Sequence, residues 1–275
     1  MPSLGLSLGL GGVRVLGPAI DPDAATWFAA VEATGATFGP DPATIAANKT
    51  AWSNWVKAQK NAESPIEGRS NWQQLTQADE GFIQPLMGVS TFNVPPIFGG
   101  RTFTGFVSGD YDPAIGLRGG EDRIITSDRT WNDTPDYDVS AGVILTGPPI
   151  TTASNGRIVG ADAADVFREL FNNDGSVRLR SPAFDDTTTL FEASTPRTVA
   201  MSRHTETGCQ VFNGSIYVIS RDATSASANS VAFLNDVQLN RESDARIGVA
   251  FYGRSIDVEA MNTACVALSE AIVWP

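Results

Sequence analysis

Past residue 95 the sequence is cut into short stretches, and that cutting limits the fold more than any other feature. Pro95, Pro96, Gly99 and Gly100 mark a break. After it come segments rich in Val, Ile, Thr and Phe, each bounded by turn residues: RTFTGFV, DVSAGVILT, GRIVG, SVRLRS, TTTLFEA, RTVAMSR, CQVFNGSIYVIS, SVAFLNDVQLN and ARIGVAFYG. Their brevity suits strands joined by tight turns rather than helices. Asn213-Gly214, between two strand-like halves, is a hairpin signal, and Asn235-Asp236 reads as a turn in the same role. Short strands of this kind bury a core only as two antiparallel layers face to face, so the spacing predicts a β-sandwich or jelly roll. The stretch ADVFRELFNN reads as a short helical insertion.

Residues 21–87 have another texture. DPDAATWFAAVEA opens with Asp21 as N-cap and Pro22 at the first helical position, and Trp27, Phe28 and Val31 then share a face. DPATIAANKTAWSNWVKAQK repeats the start at Asp41 and Pro42, with Ile45, Trp52, Trp55 and Val56 as its apolar stripe. SPIEGRSNWQQL offers Ser64, Pro65 and Glu67 as the start of a third helix carrying Trp72 and Leu75. Tryptophans in such stripes read as core. Ahead of the helices, Leu4, Leu6, Leu8 and Leu10 alternate with Gly5, Ser7 and Gly9. Period two gives one apolar face and one nearly bare face. Such a strip cannot fold alone, and reads as a strand laid on its own body or on a neighbouring subunit. The organisation is then an extended arm over 1–20, a helical region over 21–87, and a sandwich over 88–275.

A formal net charge of −12 disfavours nucleic acid as a partner, because phosphate binding needs a basic patch. An anionic membrane surface is disfavoured for the same reason. MPSLGLSLGLGG has no Lys or Arg before its apolar stretch, so no secretory leader is expected, and no apolar run approaches the ~20 residues that span a bilayer. The two cysteines, Cys209 and Cys265, form no C-x-x-C and read as buried small residues or free thiols. One histidine, His204, argues against a His-based metal centre or triad. No phosphate-binding glycine loop, H-E-x-x-H or G-x-S-x-G occurs.

The closing stretch RSIDVEAMNTACVALSEAIVWP raises a sharper question. Its SIDVE comes close to the E-x-D-x-E strand of β-sandwich glucanases, where alternating carboxylates do acid/base and nucleophile work. Here Ser255 stands where the first Glu belongs. Val258, Met261, Cys265, Leu268 and Ile272 step by three and four, which is a helix stripe. Asp257 then becomes the N-cap, and Glu259 sits in the first turn where the helix dipole favours it. The expectation is a capped, packed C-terminal helix and no catalytic strand.

With these elements in place a resemblance emerges. GFVSGDYDPAIGLRGGEDRIITSDR (105–129) resembles a segment of phage virion proteins, of the type N-F-V-x-G-D-Y-x-x-x-x-G-L-x-G, that opens a concanavalin-like or laminin-G-like lectin sandwich after a helical stretch. VAFYGRSIDVEAMNTACVAL (249–268) resembles the strand and final helix that close those proteins. The resemblance implies a mainly β chain with a helical N-terminal region, its antiparallel sandwich (jelly roll, concanavalin-like) closed by a C-terminal helix. It implies a structural and adhesive component of a phage-like virion: a tail-fibre, baseplate or appendage protein facing the host surface, or a capsid decoration protein. Its partners would be other virion proteins, copies of itself and a host-surface glycan, and it would be assembled in the host cytoplasm. No enzymatic activity is expected. The rival from another class is a glycan-cleaving enzyme on the same sandwich, since one superfold hosts many functions.

Candidate sites follow from the same stretches. In the implied phrase, Gly109 and Gly116 allow tight backbone geometry and Leu117 enters the core. Asp110 and Asp112, with the loop acids Asp133, Asp136 and Asp138, are candidate oxygen ligands for calcium; they read equally as solvated turn carboxylates. No cofactor is expected beyond that ion. Trp131 and Tyr137, in the polar loop DRTWNDTPDYD, are candidates for stacking on a sugar ring, and read otherwise as aromatics tucked onto the sandwich edge. RDATSASANS (221–230) reads as a polar loop tip. Leu4, Leu6, Leu8 and Leu10 are the candidate assembly arm.

Overall fold

A computed structural model describes residues 19–120, 122–130, 133–135, 138–147, 156–161, 168–171, 177–181, 184–188, 196–205, 208–213, 216–220, 230–236, 241–242 and 244–275. Three helices come first: α1 (Pro22–Ala33), α2 (Pro42–Asn61) and α3 (Asn71–Leu75). Strands follow: β1 (Phe82–Pro85), β2 (Arg101–Thr104), β3 (Tyr111–Asp112), β4 (Gly116–Arg118), β5 (Ile124–Thr130), β6 (Val139–Gly147), β7 (Gly156–Ala161), β8 (Arg168–Phe171), β9 (Val177–Ser181), β10 (Phe184–Thr188), β11 (Arg197–Arg203), β12 (Gly208–Asn213), β13 (Ile216–Ser220), β14 (Ser230–Phe233), β15 (Asn235–Asp236), β16 (Arg241–Glu242) and β17 (Arg246–Gly253). Helix α4 (Val258–Ala271) ends the order.

The long strands form two antiparallel sheets. One runs β13-β12-β11-β6-β17-β4-β3, with β1 also paired to β17. The other runs β10-β9-β8-β7-β14-β5-β2. Between them lies a core that includes Phe82, Leu117, Ile125, Val143, Val199, Met201, Val231, Phe233 and Tyr252. The fold is therefore the mainly β, antiparallel sandwich with a C-terminal helix that the strand spacing predicts.

Period two explains why the first sheet is buried on both faces. In β17, Ala250 and Tyr252 point into the sandwich, while Val249 and Phe251 point the other way. That outer face, with Ile144 and Ala200, is covered by α1, α2, α3 and α4. Strands covered on both sides read as continuous apolar runs, as β11 and β17 do.

The helix starts follow their caps. The Asp21 and Asp41 side chains accept backbone N–H groups at the starts of α1 and α2, each followed by proline. Asp257 accepts from the Glu259 and Ala260 backbones at 2.9 and 3.0 Å and starts α4, so SIDVE runs into a helix as expected. Val258, Met261, Cys265 and Leu268 are buried along it.

Four local expectations need correction. The third helix is capped by Ser70, not by Ser64: a capping box joins Ser70 and Gln73, while Gly68, at φ +74°, breaks the chain between. Phe82–Pro85, inside the stretch read as helical, is β1, drawn into the sheet by four pairings with Tyr252 to Val249. Arg168–Phe171, inside the supposed helical insertion, is strand β8, paired on both sides by β7 and β9. Asn235–Asp236 is strand β15, because the chain breaks one residue earlier at Leu234, whose φ is +70°.

The helical layer is built around indoles. Trp52 lies 5.1 Å from Trp27 and 5.7 Å from Trp55 between ring centroids, and Trp55 lies 6.4 Å from Trp72. Each indole N–H has an acceptor: Pro95 O for Trp27, Met87 O for Trp52, Cys265 Sγ for Trp55 and Asp23 Oδ2 for Trp72. A buried indole needs such a partner. Burial pushes the Cys265 thiol up to about 12, so it stays an unreactive thiol at neutral pH.

Candidate functional site

The phrase SGDYDPAIGL forms a 3-10 turn (Ser108–Asp110) and the β3–β4 hairpin at one margin of the helix-covered sheet. Its backbone geometry depends on Gly116, at φ +97°, packed against the Ile247 carbonyl of β17. Gly109 sits in open space without a positive φ, so the tight geometry expected there is absent. Leu117 is fully buried, as expected.

The calcium candidates are engaged within the protein. Asp110 is buried, with Oδ1 paired to Arg123 Nη2 at 2.8 Å and Oδ2 accepting the Val107 backbone N–H at 2.9 Å. Asp112 Oδ1 accepts from the Ala114 backbone at 2.9 Å, closing the turn. Asp133 accepts from the backbone and hydroxyl of Thr130, and Asp138 from Ser255. Among the described residues no group of three or more His, Cys, Asp or Glu is placed to hold a metal ion. The calcium expectation therefore does not carry over to Asp110 and Asp112: their oxygens fix a hairpin.

Trp131, Asp136, Tyr137, the arm residues Leu4, Leu6, Leu8 and Leu10, and most of the 221–230 loop lie outside the described residues. The flanks of the Trp131–Tyr137 loop are well defined, however. On the β5 side, Thr130 is tied to Asp133, and the Tyr252 hydroxyl donates to Thr130 O at 3.0 Å and shares a hydrogen bond with Thr134 at 2.8 Å. Burial, set against the Thr134 hydrogen bond, pushes the Tyr252 phenol well above its ordinary value.

On the β6 side, Asp138 Oδ1 accepts from both the backbone N–H (2.9 Å) and the hydroxyl (2.6 Å) of Ser255. Arg254 lies between Asp138, at 3.4 Å, and Glu80, which it grips with Nε and, at 2.9 Å, Nη2. Those Glu80 bonds, against some desolvation, hold the guanidinium above its ordinary value. Gln74 and Asn71 of α3 hold the Ser255 and Asp257 carbonyls, and Ser202 of β11 holds Ile256 at both N–H and C=O. Sequence reasoning missed this cluster. Glu80, Asp138 and Arg254 are 116 to 174 residues apart, and no local pattern joins them.

Arg254→Met should therefore destabilise the protein by about 1–3 kcal/mol, since two partly buried carboxylates lose their counter-charge. A shift in denaturant midpoint checks it. Wild-type stability in this variant would mean that the rim is held by the serines alone.

Two depressions mark the helical layer. One, of ≈ 990 Å³, lies between the end of α2 and α3 and is lined by Lys60, Glu63, Glu67, Arg69, Trp72 and Gln73 among others. A smaller groove of ≈ 390 Å³ lies between α1 and residues 96–98. Trp72 borders both, but Lys60 Nζ stands 5.6 Å over its ring and is itself paired to Asp21 and Asp23 at 2.7 Å. That face is closed to a stacking ligand. Burial acts to raise the Asp21 pKa, but the Lys60 hydrogen bond and backbone N–H groups outweigh it and hold the carboxyl below its ordinary value.

Two antiparallel sheets face to face, a helical layer on one outer face, and a stapled polar loop at the rim define the class: an antiparallel β-sandwich domain. No protein-family model and no curated protein matches the chain. Solved structures do match in part. They include a mutant of Trypanosoma rangeli sialidase displaying trans-sialidase activity (11% identity, 83% of this chain, 39% of that one, TM-score 0.49). They also include the binding domain of botulinum neurotoxin DC in complex with rat synaptotagmin II (11% identity, 68% of this chain, 51% of that one, TM-score 0.46). A third is botulinum neurotoxin type C, whose cell entry depends on two ganglioside molecules (12% identity, 69% and 51%, TM-score 0.48). This chain thus spans 39% of the sialidase and about half of each neurotoxin chain. The expectation of no enzymatic activity is withdrawn: glycoside hydrolases stand among the matches, so the fold gives no ground for it. No phage protein is among these three.

Proposed function

We propose that this chain is a glycan-engaging subunit of a phage-like particle. The observation that carries the glycan part is the stapling of the 131–138 loop on both flanks, by Tyr252 on one side and by Ser255 and Arg254 on the other. A loop fixed at both ends presents its aromatics with little ordering cost, which favours weak ligands such as sugars. The particle part is supported by the order of elements: helical layer, SGDYDPAIGL hairpin, sandwich, β17, α4, which is the order in the phage virion proteins that the sequence resembles. A tail-fibre or appendage role suits a host-facing loop; capsid decoration is the alternative placement. Many copies on one particle would raise weak single-site binding by multivalency.

Glycan cleavage is the second reading, and one observation favours it. Glu80 and Asp138 converge on Arg254 beside the same loop. Hydrolysis of a glycosidic bond uses two carboxylates.

The test uses host-surface polysaccharide. Wild-type chain should bind it, and Trp131→Ala and Tyr137→Ala should each weaken binding by about tenfold or more without moving the melting temperature. Binding untouched by both substitutions, or no binding to any surface polysaccharide, would remove the glycan reading. Sustained release of sugar products, lost in Glu80→Gln with binding retained, would establish the second reading over the first.

A further inference from the structure

The outer edge of β2 is open. This strand ends the seven-stranded sheet and pairs with β5 on one side, Arg101 to Ser127 through Thr104 to Ile124. Among the described residues no backbone hydrogen bond reaches its other side. Alternate residues of such an edge carry N–H and C=O groups pointing outward, a template for one more strand.

The two faces beside that edge differ. Thr102 and Thr104 are exposed on the outer face. On the inner face, Phe103 joins Phe92 at 5.1 Å and Phe106 at 5.8 Å between ring centroids. These rings are only partly buried against the core, and Val107, just past β2, is 60% exposed. The sheet thus stops before its aromatic margin is covered. A strand that completed it would need an apolar side over the rings and a small side continuing the threonine face. Residues 4–10, L-G-L-S-L-G-L, have that alternation.

We propose that residues 4–10 of a neighbouring copy add as a strand to the β2 edge, with Leu4, Leu6, Leu8 and Leu10 over the phenylalanines. This rests on the reading of the chain as a particle subunit and names the contact between its copies. The reach fits. Nine residues separate Leu10 from Ala19, a span of up to ~30 Å when extended. Ala19 is held through its carbonyl by Lys57 of α2, so the segment leaves from the helical layer. That layer covers the outer face of the other sheet, whereas β2 borders the far one. A neighbour's segment reaches β2 without rounding the sandwich. Backbone pairing supplies affinity in this mode and the alternate side chains supply register.

Disulfide trapping in the full chain tests it. Directly opposed outward residues on adjacent strands lie within bridging distance. Chains carrying only Gly5→Cys, Ser7→Cys or Gly9→Cys are mixed with chains carrying only Thr102→Cys or Thr104→Cys, and each single variant alone is the control for Cys209 and Cys265. At least one mixture should give a covalent heterodimer that no single variant gives. Deleting residues 1–12 should weaken self-association at least tenfold by light scattering while leaving the melting temperature of the core. Overturning results are two: no mixture bridges, or chains carrying both cysteines close on themselves, which seats the segment on its own sandwich. The glycan assay is independent. Bridging without glycan binding would remove the adhesive reading alone, and glycan binding by a monomer would remove this one alone.

Discussion

Truncating Trp52 to alanine is expected to lower the free energy of unfolding by about 3–5 kcal/mol, the largest single effect available in the helical layer. Its ring is fully buried and stands between Trp27 and Trp55, and its N–H donates to the Met87 carbonyl. The surrounding indoles cannot collapse into the space, so a cavity adds to the lost transfer energy. The same substitution tests whether the helices are a layer of the sandwich or a separate body. Trp52 belongs to one cluster with Val249 and Phe251 of β17 and Met261 of α4. Helical and strand signals in circular dichroism should therefore fall together in one transition at lower denaturant. Early loss of the helical signal alone, with the sheets intact, would separate the two.

Gly116→Ala is expected to cost about 3 kcal/mol or more, and Gly109→Ala less than ~0.5 kcal/mol. At Gly116 a methyl carbon would lie 2.1 Å from the Ile247 oxygen and 2.8 Å from its carbonyl carbon. Both are backbone atoms of β17, and Ile247 is paired in register with Leu117. Neither partner can yield without parting β4 from β17. The positive φ adds strain for any L side chain. At Gly109 a methyl meets nothing within 4 Å. The contrast is measured by urea unfolding of both variants. Equal midpoints would mean that the hairpin is not held against β17.

The helices and the ending were legible because their signals are local. Asp-Pro starts and a stripe stepping by three and four lie within one stretch of sequence, and a helix closes its hydrogen bonds within that stretch. Ser70 shows that even the misplaced start was readable: Ser-Asn-Trp-Gln carries the capping box, and Gly68 separates it from Ser64. Strand β8 was not readable in this way. RELF suits a helix in isolation, and only the flanking β7 and β9 make it a strand.

The candidate site divides along the same line. The sequence located the aromatic loop and the acidic phrase, but Asp110 and Arg123 as an ion pair, and Glu80, Asp138 and Arg254 as one cluster, come from pairings between distant strands. What the sequence by itself determined is which stretches become helices, where most strands run, and which faces are apolar, since these depend on neighbours a few residues away. Only the tertiary structure decided which sheet the helices cover, which carboxylates are neutralised and which edge stays open. Those outcomes depend on strands brought together across more than a hundred residues, where burial and pairing, not local propensity, set the energy.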